Sequence, residues 1–433
     1  MNRHPRTFLG FVITTALSLA LVACAGVGGG AQTYRAPGPE YAYVANHGSN
    51  TVSQYAIGAG GALKAMNPAT VPAGSGPIAV TVNPMGKYAY VVNDEDGTVS
   101  QYAIGAGGAL TPMNPATVRA GCRYCLAFAV TIDPTGKYAY VANPGYGTVS
   151  QFAIGAGGAL TAMNPATVTA GSRNSISHVT VDPTGKYAYV VNSLGSSISQ
   201  YTIGADGALK AMSPATVPAG ISPLSITVDP TGKYAYVANP GLIINGTVLQ
   251  YVIGAGGALR PMNPATVPAG RLPSSVTVDP TGKYAYVVNQ SDNNVSQYTI
   301  GAGGALTAMR PATVAAGTSP ESVTVDPTGK YAYVANGGGN NISQYAIGAN
   351  GALKAMRPAT VAAGRTPASF TVDPTGKYAY VVNVYGESVS QYVIGSNGAL
   401  TAMSTPAAMS TPTVAAGRIP TSVAIYPPLL SRP

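Results

Sequence analysis

Tryptophan is absent from this 433-residue chain, cysteine and histidine occur three times each, and charged residues make up only 9%. No G-x-S-x-G, H-E-x-x-H or P-loop occurs, which removes the nucleophile-elbow, zinc-peptidase and phosphate-loop readings. The net charge of +9 contains no basic run, since the lysines recur one per repeat, and nucleic acid is not an expected partner. Low charge does not make the chain disordered, because its apolar residues alternate inside short bounded runs. What it has in quantity is Gly (54), Pro (35) and Tyr (28), a composition suited to close-packed strands joined by tight turns.

The one extended apolar run lies at the N-terminus. Arg3 and Arg6 precede Phe8–Ala20, and Leu21-Val22-Ala23-Cys24 follows, the pattern of a secretory signal that is too short to be a permanent membrane span. L-V-A-C resembles the lipobox of bacterial lipoproteins, which implies a signal over 1–23 and lipidation of Cys24. The alternative is an ordinary signal peptide. Ala25, where Asp would retain the protein at the inner membrane, implies outer-membrane routing. Residues 24–40 then read as a lipid-anchored flexible tether.

The rest is a repeat. Y-A-Y-V-(A/V)-N begins at Tyr41, Tyr88, Tyr138, Tyr187, Tyr234, Tyr284, Tyr331 and Tyr378, at intervals of 47, 50, 49, 47, 50, 47 and 47 residues. That period signals a propeller or solenoid. In the unit Ser275–Gly317, Val276–Val278 reads as a strand A, Asp279-Pro280-Thr281-Gly282 as a type I turn, Tyr284–Val288 as strand B and Val295–Ile300 as strand C. Strand D lies within Ala305–Val314, where Pro311 suits only an edge or a bulge. Four short strands in about 48 residues make one propeller blade.

Strand B is apolar or aromatic on both faces, so it must be covered on both sides, as in blades packed around an axis. The first unit starts at strand B, and the chain ends with an unpartnered strand A, Ser422–Ile425. A ring in which that last strand completes the first blade leaves no orphan. The expected fold is therefore all-β: a single propeller of four-stranded blades over 41–426, eight by repeat count with seven as the alternative, and a tail over 427–433.

D-P-T-G-K-Y-A-Y-V-A-N followed by V-S-Q-Y-A-I-G and G-A-L resembles the Y-V-T-N repeat propellers and the lactonase-type propeller family that includes bacterial 6-phosphogluconolactonase. The resemblance spans Tyr41 to about Tyr426 and implies a propeller and a sugar-lactone hydrolase. Two departures stand out: the family is usually seven-bladed, and its enzymes are typically soluble. The lack of Trp separates the chain from quinone-dependent eight-bladed dehydrogenases, whose blades carry Trp motifs, and no cofactor is expected.

Repetition separates scaffold from individuality. The A–B and C–D turns hardly vary between units, whereas the B–C and D–A connections do. In an antiparallel meander these lie at opposite ends, which predicts one uniform face and one variable, ligand-binding face. Arg123, Arg173, Arg271, Arg365 and Arg418 in the D–A loops are candidates to hold an anionic sugar, carboxylate or phosphate. Asp94-Glu95-Asp96 has carboxylates but not the calcium-loop pattern, so no metal site is assigned. Cys122 and Cys125 suggest a local disulfide after export. For lactone hydrolysis the candidate groups are His47, His178 and Glu321 with the rim arginines. The sequence reading is thus an exported, monomeric, lipid-anchored propeller of the bacterial envelope that binds an anionic ligand or envelope protein. The alternatives are a lactonase and a structural envelope scaffold.

Overall fold

The computed structural model describes residues 40–120, 127–173, 175–241, 246–403 and 413–426. They form eight antiparallel sheets, each with strands in the order A-B-C-D. Blade 6 is typical, with A at Pro273–Val278, B at Tyr284–Asn289, C at Asn294–Ile300 and D at Leu306–Ala315. In blade 8 strand D is split into Leu400–Ala402 and Thr413–Ala415, both paired with strand C. Pro420–Tyr426 pairs with Glu40–Asn46 and supplies strand A of blade 1, as the ends of the chain predict. The strands A of successive blades touch one another around the full circle, so they are innermost.

Eight hydrophobic clusters each join two adjacent blades, the one between blades 6 and 7 uniting Tyr286, Val288 and Val295 with Val323, Val334 and Tyr345. Strand B is buried on both faces while strand D is largely exposed. The proline of strand D sits on this outer edge where the ladder shifts register, opposite Ser296–Tyr298 in blade 6.

Most of the conserved repeat is hardware between blades. Tyr43 donates its hydroxyl to Gly108 O in the next blade at 2.6 Å, and Gln54 accepts Leu110 N–H there at 2.8 Å. The ring closes with the same parts: Tyr380 on Gly61 O and Gln391 on Leu63 N–H. The first Tyr of each repeat lies flat on a glycine of the neighbouring C–D turn. At Gly61, with φ +81°, an added Cβ would stand 2.1 Å from Tyr378 Cδ1. These contacts are why Tyr and glycine recur at those positions.

The D-P-T-G-K turn is equally self-contained. Asp279 accepts Thr281 N–H and Oγ1–H on one carboxylate oxygen, and Lys283 and Tyr284 N–H on the other. In blade 2, where Asn83 and Met85 replace Asp and Thr, only the bonds to Lys87 and Tyr88 N–H remain. The repeated Asp is turn chemistry.

Ring closure also sorts the charges. Every lysine of the chain stands at the A–B end of its blade. Lys87, Lys137, Lys186, Lys233, Lys283, Lys330 and Lys377 follow the A–B turns, and Lys64, Lys210 and Lys354 open strands D. All ten are exposed. Arg173, Arg271, Arg365 and Arg418 lie at the opposite end.

Candidate functional site

At the variable end the loops are less free than their sequences suggest. Five D–A loops are tied by their backbone to the B–C loop of the following blade. Gln290 and Ser291 N–H donate to Leu272 O and Arg271 O, His47 and Gly48 N–H to Ile419 O and Arg418 O, and equivalent bonds recur in blades 2, 7 and 8. The residue before the strand-A proline is left-handed in each, as at Leu272 (φ 53°) and Ile419 (φ 48°). In these five blades the backbone at this end is thus nearly uniform too. Individuality resides in side chains at a few repeated positions.

One such position follows the Asn that ends strand B: His47, Asp94, Pro144, Ser193, Pro240, Gln290, Gly337 and Val384. Three of these side chains reach the next blade. His47 Nε2 lies 3.2 Å from Asp94 Oδ1, Ser193 Oγ donates to Pro223 O at 2.7 Å, and Gln290 Nε2 donates to Glu321 Oε1 at 2.8 Å. Comparing repeat copies at this position would have found Gln290, which the sequence reading missed.

Glu321 occupies the irregular position of strand A in blade 7, between Pro320 and Ser322, where the ladder to strand B slips. The other blades carry Ile78, Phe128, Ser177, Leu224, Ser274, Ala368 and Thr421 there, so it is the only acid of its ring. Desolvation raises its pKa to about 7, against a lowering by the Gln290 hydrogen bond.

His178 replaces the Ala or Ser of other strands A. The residue is half-buried in strand A of blade 4. Burial lowers its pKa to about 4, which keeps it neutral at pH 7. His47 moves the other way. Its contact with the Asp94 carboxylate raises its pKa, opposed by partial burial and aided by the charges of Asp94 and Glu95.

The four described rim arginines each engage a partner on a B–C loop. Arg271 bonds Asp292 through Nε at 2.7 Å and through its backbone N–H at 2.7 Å, and these bonds hold the Asp292 carboxyl below its usual range. Arg418 lies 3.9 Å from Glu387. Arg173 stacks over Tyr146 at 4.4 Å, and Arg365 over Tyr385 at 5.9 Å. Asp94, Glu95 and Asp96 diverge: the first goes to His47, the second to Ser75 Oγ, the third to Ser75 N–H and Thr98. No three His, Cys, Asp or Glu side chains gather among the described residues. Cys24, Cys122, Arg123 and Cys125 lie outside them.

The family described as lactonase, 7-bladed β-propeller, matches residues 32–172, 127–319 and 304–416. No curated protein matches the chain. Among solved structures, the periplasmic gluconolactonase PpgL of Pseudomonas aeruginosa is 18% identical with a TM-score of 0.59, covering 90% of this chain and 100% of its own. A Lactobacillus plantarum protein is 19% identical with a TM-score of 0.60, covering 90% and 100%. The dihydro-heme d1 dehydrogenase NirN is 14% identical with a TM-score of 0.62, covering 89% and 74%. At these identities the likeness is one of fold. The matched family is defined by seven blades and this ring has eight; because each blade packs only on its neighbours, a further copy fits without new contact types.

Proposed function

Since the chain belongs to the lactonase family of β-propellers, we propose that it is an exported, lipid-anchored hydrolase that opens a sugar lactone at the variable face of its ring. The observation that carries this reading is the Glu321 carboxyl: alone of its kind in the ring, at the channel mouth, with a pKa raised to about 7. A carboxylate of that basicity is a competent general base near neutral pH. It takes a proton from water as the water oxygen adds to the lactone carbonyl carbon. The ring C–O bond then breaks and the departing oxygen recovers the proton, giving the hydroxy acid. Gln290 fixes the carboxylate orientation through Oε1. His47, whose pKa the Asp94 carboxylate raises, and the tyrosine-stacked Arg173 and Arg365 favour the anionic product and any acidic substituent on the sugar.

A second reading, capture of an acidic sugar without turnover, is favoured by the two Arg–Tyr stacks. Tyr146 and Tyr385 are 44% and 57% exposed, so each presents an aromatic face with a cation beside it. Acid release from sugar lactones by the purified protein, measured by pH-stat, separates the two. Turnover that Glu321→Gln abolishes supports the hydrolase, whereas saturable aldonate binding without turnover supports the binder.

A further inference from the structure

We propose that the lysine-bearing face of the ring docks on an anionic lipid surface and so turns the variable face away from the bilayer. This rests on the charge pattern and on where the chain enters the ring, not on the hydrolase reading.

The seven A–B lysines are spread one per blade from blade 2 to blade 8, with Glu40 in the equivalent place of blade 1. None of the ion pairs among the described residues involves a lysine. The aspartates of the same turns offer no counter-charge outward: they are 0–3% exposed, and their oxygens are taken up by turn N–H and hydroxyl groups. Glu40 is likewise buried, which leaves Asp206 as the exposed acid at this end. Between blades 5 and 6 the face opens into a groove of about 570 Å³ flanked by Lys233 and Lys283, with Thr231 and Asp229 also on its wall, the Asp229 carboxylate being taken up within its own turn. A phosphate headgroup fits that chemistry: two ammonium groups at an open mouth. At the other end, by contrast, Arg271 and Arg418 already face acids.

The second observation is the path of the chain. Residues 1–39 join the ring at Glu40, hence at the lysine end. Cys24, the expected anchor, precedes Glu40 by few enough residues that even an extended segment reaches only about 50 Å. A lipid anchor paired with a cationic face is the two-signal arrangement that gives firm membrane attachment.

The test uses the full chain reconstituted on vesicles of phosphatidylglycerol and phosphatidylcholine in equal parts, or of phosphatidylcholine alone. Lysine acetylation is followed by mass spectrometry. On anionic vesicles at about 0.01 M salt the A–B lysines should react several-fold more slowly than on neutral ones. The difference should vanish at about 1 M salt, where the screening length falls from about 30 to about 3 Å. Replacing the seven A–B lysines by Gln should remove the lipid-charge dependence of flotation, and replacing Arg173, Arg271, Arg365 and Arg418 by Gln should leave it. Equal acetylation on both vesicles, equal loss in both variants, or retention on dextran sulfate with indifference to lipid charge would overturn the proposal.

Discussion

The two ends of this ring are built from the same strands yet differ in what their charges are committed to. At the A–B end, aspartates are buried inside turns and lysines stand free. At the B–C end, arginines are stacked on tyrosines or paired with acids, and the one acid at the irregular strand-A position is half-buried with its proton affinity raised. The first end repeats because every blade needs the same clamp and six of them share the full Asp-anchored turn. The second end can change one side chain at a time over a backbone already tied by hydrogen bonds. Repetition marks what holds the ring, and departures from it mark where a ligand can be told apart.

The sharpest way to break that contrast is at Glu321. Glu321→Gln should lower lactone turnover by about 10²–10⁴-fold, the range for losing a general base. It should also raise stability at pH 8. A carboxyl whose folded pKa lies above its unfolded value stabilises the fold below about pH 4.5, and that stability is lost as pH rises through about 7. The gain, read by urea unfolding, should be up to about 3 kcal/mol. At the opposite end, Gly61→Ala should cost on the order of 3 kcal/mol, because its Cβ would enter the Tyr378 ring and φ is positive. Gly60→Ala, with nothing within 4 Å, should cost about 0.5 kcal/mol or less. These two neighbours separate clamp from bare turn.

His178 gives a smaller effect of opposite sign to that of Glu321. Its folded pKa is depressed to about 4, so the stability it permits is complete above about pH 6.5 and is lost as pH falls toward 4. His178→Ser, the residue of blade 5 at this position (Ser225), should reduce the fall in unfolding free energy between pH 7 and pH 4.5 by about 2 kcal/mol. Smallest of all, Arg271→Gln should change stability by less than about 1 kcal/mol, since the pair with Asp292 is solvent-exposed.

The ring was legible in the sequence to the level of single turns. Asp279-Pro280-Thr281-Gly282 specifies its turn by residue type, Pro311 marks its edge strand, and the unpaired Ser422–Ile425 announces closure. The lysines' common face was legible from the repeated turn, but the charge asymmetry was not, because it depends on the turn aspartates being buried and bonded within their own turns. Nor was the state of Glu321, since nothing in Pro320-Glu321-Ser322 signals that the ladder slips there and leaves the carboxyl half-buried. The rim arginines were picked out by type and position. Their partners depend on how each loop folds back onto its neighbour, as where Ser291 N–H meets Arg271 O and brings Asp292 alongside.

The most direct test of the division between the two ends is the pH dependence of kcat/KM for sugar-lactone hydrolysis by the full chain. The account predicts a limb that rises with an apparent pKa near 7, is absent in Glu321→Gln and is retained when the A–B lysines are replaced by Gln. A profile unchanged by Glu321→Gln, or no hydrolysis at any pH, would contradict it.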